Sequence, residues 1–128
     1  MNSICEFVAE HYMKMKSIHS LKEANQLIEY IGSDPNSIPI MSPKMVHRVI
    51  EINDVVLQDA IIIKQDMLSI GGEVAVPKNT FDLHQKKATI LVSGTVNQLR
   101  ELIIKLKRHY SRIQQIAQEL EELVKTIT

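Results

Sequence analysis

The pattern that most restricts this chain lies in its last stretch. Leu99, Ile103, Leu106, Tyr110, Ile113, Ala117, Leu120, Val124 and Ile127 recur at alternating steps of four and three residues. Sustained over about four heptads, that spacing predicts one apolar seam along a continuous helix, a coiled-coil candidate. Thr95-Val96-Asn97-Gln98 supplies a capping box to open it, and no obvious signal closes it before Thr128. A helix of some thirty residues is about 45–50 Å long, more than a small domain covers readily. The expectation is a projecting rod that buries Tyr110, Ile113, Ala117, Leu120, Val124 and Ile127 on another copy of the chain. The alternative is a fold-back onto residues 2–16. Leu102 and Ile104 widen the stripe in the first half, which suits it to packing on a sheet.

The rest of the chain alternates short helical and extended signals. Ile4, Phe7, Val8 and His11 fall at helical spacing, and Met13, Met15 and their neighbours alternate, so residues 2–16 read as helix and then strand. Ser20-Leu21-Lys22-Glu23 is a capping box ahead of Leu21, Ala24, Leu27, Ile28 and Ile31, and Gly32 offers the left-handed stop. Pro39 and Pro43 predict extended chain over 38–44. Met45 to Ile52 reads as a strand, and Asn53 or Asp54 as the cap of a helix reaching about Ser69, closed by Gly71-Gly72. Glu73–Val76 and Ala88–Val92 read as strands, the second ended by Ser93-Gly94, and Phe81–Leu83 as a local pairing segment. Together these predict an α+β or α/β domain, one small sheet covered by helices, over 1–109, with 110–128 as its oligomerising extension.

Composition narrows the function classes. The 128 residues carry 15 basic and 15 acidic side chains, a net charge of zero, and only 4% aromatics with no Trp. Neither a basic nucleic-acid coat nor a base-stacking platform fits that balance. Cys5 alone forms no internal disulfide. No apolar run reaches the ~18 residues of a membrane span, and Glu6, Glu10 and His11 interrupt a signal-peptide profile. A cytoplasmic protein without membrane or nucleic-acid partners is expected. The five histidines show no metal-ligand spacing, so neither a metal nor a cofactor is expected. Lys105, Lys107, Arg108 and His109 read as a solvated helix face.

One residue breaks its pattern. Lys64 lies in the apolar stripe of the 54–69 helix, between Leu57, Ala60, Met67 and Leu68. A lysine there snorkels, forms a structural ion pair, or meets an anionic ligand. Ile62 falls on the polar side, as an exposed contact residue would. An anion pocket would combine Lys64 with Lys44, Gln65 and the Gly71-Gly72 backbone, although these glycines lack the spacing of a nucleotide-binding loop.

The stretch Ala60 to Pro77 (AIIIKQDMLSIGGEVAVP) resembles the A-N-I-L-K-Q-E-M-L-S-L-G-G-E-A-A segment near the start of the long dihydropteroate synthases of archaea and deep-branching bacteria. Ile40-Met41-Ser42-Pro43-Lys44 is similar to their I-M-A-P-K, and Gly94 through Leu106 to their G-T-x-x-Q-L…L-x-x-K-L. The resemblance covers residues 14–108. In those enzymes the segment precedes a pterin-binding (β/α)₈ barrel that condenses a pterin diphosphate with p-aminobenzoate. This chain is too short for such a barrel, which takes 200 residues or more, so none of the barrel's substrate residues carries over. The resemblance implies an accessory domain of the folate or methanopterin pathway. The expected role is a non-catalytic interaction or regulatory module that is a homo-oligomer and partners a pterin-pathway enzyme. A pterin- or phosphate-binding protein or enzyme built on Lys64 and Gly71-Gly72 is the alternative.

Overall fold

The computed structural model describes residues 8–9, 12–78 and 86–128, and shows an α+β fold of five helices on a three-stranded antiparallel sheet. In chain order the elements are β1 (Val8–Ala9), β2 (Met13–Lys14), α1 (Leu21–Ile31), α2 (Ile38–Met41), β3 (His47–Val56), α3 (Leu57–Ile70), β4 (Glu73–Ala75), β5 (Lys87–Thr95), α4 (Val96–Leu106) and α5 (Ser111–Val124).

The sheet has the order β3-β5-β4. Arg48 pairs with Gly94, Ile50 with Val92 and Ile52 with Ile90, before a bulge between Ile52 and Val55 shifts the register. Period-two alternation decides the two faces. Ile50, Ile52, Ala88, Ile90 and Val92 turn toward the helices, while Val49, Glu51 and Leu91 face out and are exposed. Ala60, Ile63 and Met67 of α3, Leu99, Leu102 and Leu106 of α4, and Ile113, Ala117, Leu120 and Val124 of α5 complete one core with the inner face.

That core corrects the projecting rod. The helix stops at Leu106, four residues intervene, and α5 returns beside α4. Ile113 and Ala117 have no exposed surface, Leu120 and Val124 almost none, and Ile127 packs against the same cluster. The C-terminal carbonyl of Thr128 accepts the Lys22 N–H at 2.8 Å, stitching the chain end to α1. Residues 110–128 are therefore part of the domain's own core, and the seam expected to bind another copy is already covered. The 4-3 spacing survives because a four-residue connector keeps the phase of two separate amphipathic helices.

Other boundaries moved for local reasons. Pro35, Pro39 and Pro43 each sit in the first turn of a short helical segment, at 35–37, 38–41 and 42–44, where a missing N–H costs nothing. Residues 38–44 are thus helical turns, not extended chain. Asn53 and Asp54 do not cap a helix: they lie within β3, where Asp54 takes φ 56° at the bulge. Helix α3 starts after Val56 with no side-chain cap, its entry fixed by Leu57 N–H donating to Lys86 O. β5 runs through Ser93 and Gly94 instead of ending there.

At the N-terminal side Val8–Ala9, expected as helix, is a strand that pairs antiparallel with Met13–Lys14, where a strand was expected. Ile4, Cys5, Phe7, His11 and the segment Phe81–Leu83 lie outside the described residues. The Thr95 capping box forms, and the one at Ser20 forms in part. Ser20 Oγ accepts Glu23 N–H, while the Glu23 carboxylate reaches one residue further back, to His19 N–H. Thr95 and Gln98 cap each other reciprocally.

Candidate functional site

Two side-chain systems converge on α3, one at each end. At the C-terminal end Lys64 Nζ donates to Val74 O at 2.6 Å and to Glu73 Oε1 at 3.2 Å. The lysine is thereby a tether between α3 and β4. Glu73 also accepts the Val74 N–H at 2.8 Å. That backbone hydrogen bond, followed by the one from Lys64, holds its carboxyl below the usual range.

The glycines beside it serve the same junction. Gly71 is left-handed at φ 103°, and its N–H donates to Met67 O and Leu68 O. The Gly72 N–H also goes to Met67 O. These amides complete the helix cap and do not converge on an open anion site. A Cβ on Gly72 would lie 2.6 Å from Met67 Cε, and one on Gly94 only 2.5 Å from it. Met67, with no exposed surface, occupies the space that the two missing side chains leave. Gln65 is exposed on α3, and Lys44 is exposed at the end of a different segment, the turn over 42–44. Of the five residues expected to form an anion pocket, the structure gathers Lys64, Gly71 and Gly72 at one junction, in packing and capping roles.

The system at the other end of α3 was not read from the sequence. Asp59 is buried, 1% exposed, and receives Arg112 Nε at 2.6 Å and Nη2 at 2.8 Å in a bidentate pair. The Tyr110 hydroxyl donates to the same carboxylate, and the Arg112 guanidinium lies 5.0 Å from the centre of the Tyr110 ring. Burial pushes the Asp59 carboxyl up, but the Arg112 and Tyr110 hydrogen bonds outweigh it and hold the group below its ordinary value. Those same bonds keep Arg112 charged and raise the Tyr110 hydroxyl.

Two turns along α3, Asp66 meets His109 Nε2 at 2.9 Å, and Ser69 Oγ accepts Lys105 Nζ at 2.7 Å. Lys107 pairs with Glu121 at 2.8 Å across the α4–α5 hairpin. The basic run expected to be solvated is therefore largely partnered. Tyr110, expected at an intermolecular seam, instead anchors the connector between α4 and α5. Ile62 is partly buried against the core instead of standing free. The available signal was Asp59 and Asp66, seven residues apart on one helix face; their partners lie some fifty residues downstream.

Two clefts lie away from these systems. One of about 600 Å³ lies between the N-terminal strand pair and α1, lined by Tyr12, Lys14, Lys16, Leu27, Tyr30 and Met45 among others. The second, about 390 Å³, separates β3 from α5. Among the described residues no three His, Cys, Asp or Glu side chains converge as a metal site, and no helix is long and apolar enough to cross a membrane.

No family model and no solved structure matches this chain. The bifunctional dihydropteroate synthase/dihydropteroate reductase of Helicobacter pylori is 28% identical to it over 98 residues, which is 77% of this chain. The chain spans about a quarter of that protein, 26% of its length. The likeness is thus a distant one, to part of a folate-pathway enzyme.

Proposed function

We propose that this chain is an accessory module of the pterin branch of folate synthesis, acting by association with a barrel-bearing pathway enzyme instead of by chemistry in its own fold. One observation carries this reading. The residues that make the chain resemble the long dihydropteroate synthases hold α3 on the sheet: Lys64 on Val74 O, Gly71 in the helix cap, Met67 against Gly72 and Gly94. What is shared is then a scaffold, and its exposed surface is left to do the work. Mixing the chain with the dihydropteroate synthase of its own organism tests this by light scattering after size exclusion. Co-elution at the summed mass is expected. Separate elution at tens of micromolar (about 6–7 kcal/mol of binding) overturns it.

A second reading, binding or reduction of a pterin, is favoured by the 600 Å³ cleft. Its Tyr12 and Tyr30 rings, with Leu27, Ile28 and Met45 in the same lining, are suited to a flat heteroaromatic ring. The Helicobacter pylori protein that this chain resembles is named for two activities, a synthase and a reductase. Thermal-shift titration with dihydropteroate, pterin phosphates and p-aminobenzoate distinguishes the readings. A shift that Tyr30→Ala removes supports the second; no shift with any of them eliminates it.

A further inference from the structure

A third cleft, of about 240 Å³, lies where α1, the turns over 38–44 and α4 meet. It shares no lining residue with the two clefts already described. Leu21, Ile38, Pro39 and Pro43 give it apolar walls, two of them held stiff by proline rings.

Three polar side chains join those walls. Ser42 is only 4% exposed, yet its hydroxyl forms no hydrogen bond to a described residue. Asn25 Oδ1 is buried and has no partner either. Arg100 is exposed, and among the described residues nothing pairs with its guanidinium. Glu101, its neighbour in the chain, accepts from Asn97 at 2.9 Å. Glu121, with which Arg100 lines an adjoining cleft, accepts from Lys107 at 2.8 Å. Buried polar groups in folded proteins are as a rule paired, so two unpaired ones at a single cleft ask for a partner from outside. Apolar walls with a few convergent polar groups are the make-up of a small-molecule site.

The chemistry of the lining selects the occupant. The planar fork of an arginine matches a carboxylate. Among the described residues that line the cleft, Arg100 is the one with a charge, which suits a single negative charge. No acid stands there to balance an ammonium, so the donor for Asn25 is a neutral N–H. The volume equals about eight waters at ~30 Å³ each, room for on the order of ten heavy atoms.

The geometry points to a binding site for a small acylamino acid. Its carboxylate lies on Arg100, its carbonyl accepts the Ser42 hydroxyl, and its aliphatic part rests on Leu21, Pro39 and Pro43. Its amide N–H donates to Asn25 Oδ1, which a turn about the broad χ2 of that side chain brings to the cleft. The site stands independently of any barrel-bearing partner.

NMR titration of the full chain with N-acetyl-L-valine tests this. A Kd of about 1 mM or tighter is expected, with shifts at the Asn25 side-chain amide and the Arg100 Nε–H. The analogue without the amide, 3-methylbutanoate, should bind about fivefold more weakly. Arg100→Gln, at an exposed position, should raise both Kd values about tenfold. Asn25→Leu, close in volume, should raise the Kd of N-acetyl-L-valine about fivefold and leave that of 3-methylbutanoate within about twofold. A tripeptide ending in valine separates a free acid from a chain end: binding no tighter than N-acetyl-L-valine supports the free acid, and binding tenfold tighter overturns it in favour of a peptide C-terminus. No saturation by about 10 mM overturns the site. So does a Kd unmoved by Arg100→Gln, or inorganic phosphate binding as tightly as the acylamino acid, as any anion would at a bare surface arginine.

Discussion

Helix α3 is attached at both ends, and the two attachments differ in kind. At its C-terminal end Met67 fits between two glycines, Gly72 and Gly94, and Lys64 ties the helix to Val74 O. At its N-terminal end Asp59 binds Arg112 and Tyr110, 53 and 51 residues away. The first attachment is chiefly shape: a dry apolar fit that depends on what is missing at two positions, with the Lys64 tether at its edge. The second is charge: a buried carboxylate whose cost is offset by a bidentate guanidinium and a hydroxyl. Shape fixes where α3 lies on the sheet. Charge fixes where the chain turns after α4, and so converts a rod into a hairpin.

The sharpest way to break the comparison is at Met67. Met67→Ala should cost about 2–5 kcal/mol, lowering Tm by roughly 10 °C or more. Gly94→Ala alone should cost about 1–3 kcal/mol by overpacking, because Met67 is fully buried and has little room to retreat. In the Met67→Ala background the same Gly94→Ala should cost clearly less, its methyl relieved of Met67 and left with only the closer contact to Gln98 Oε1 at 3.0 Å. Urea melts of the four proteins measure the coupling. Strict additivity would show that the glycines are not there for Met67.

The charged attachment should respond asymmetrically. Arg112→Met leaves a buried carboxylate without its main partner and should cost about 2–3 kcal/mol. This is below the 3–5 typical of fully buried pairs, because the Arg112 side chain is 51% exposed. The double variant Asp59→Leu/Arg112→Met removes the charge problem and should lie within about 1 kcal/mol of the native protein. A double variant less stable than Arg112→Met alone would mean that the carboxylate does more than anchor the connector.

The pH dependence isolates the same group. Asp59 has a depressed pKa in the folded protein, so its contribution is complete above the unfolded carboxylate value, about 3.9. It is lost as pH falls through the lower folded value. The native protein should therefore lose stability relative to the double variant below about pH 4 and hold a constant difference between pH 6 and 8. Glu73 and Glu121, also depressed, are common to both proteins and cancel. A difference unchanged from pH 7 to pH 3 would refute the ionised latch.

These two attachments also explain what was legible in the sequence. Capping boxes at Ser20 and Thr95, the strand alternation through Ile50 and Ile90 and the Gly71 stop were readable, since each depends on neighbours a few residues away. The Lys64 anomaly was visible, and its structural reading is the one the contacts support. The break at 107–110 was not legible: no Gly or Pro marks it, and the heptad phase passes through unaltered. Its cause is a tertiary contact to a residue on another helix. The prolines at 39 and 43 misled for a related reason, because a first-turn position and an extended one place the same demand on φ.

The smallest expected effect separates tether from ligand site at Lys64. Lys64→Met keeps the aliphatic stem and removes the hydrogen bond to Val74 O and the exposed pair with Glu73. The carbonyl bond contributes about 0.5–1.5 kcal/mol, and the exposed pair little. A fall in Tm of roughly 2–6 °C follows. Because the Gly71 and Gly72 amides already serve the helix cap, the substitution should leave the thermal response to inorganic phosphate and to pterin phosphates unchanged. If Lys64→Met instead abolished a phosphate-dependent shift at unaltered Tm, the lysine would be a ligand residue after all, and the C-terminal end of α3 would have to be read as a site and not as a joint.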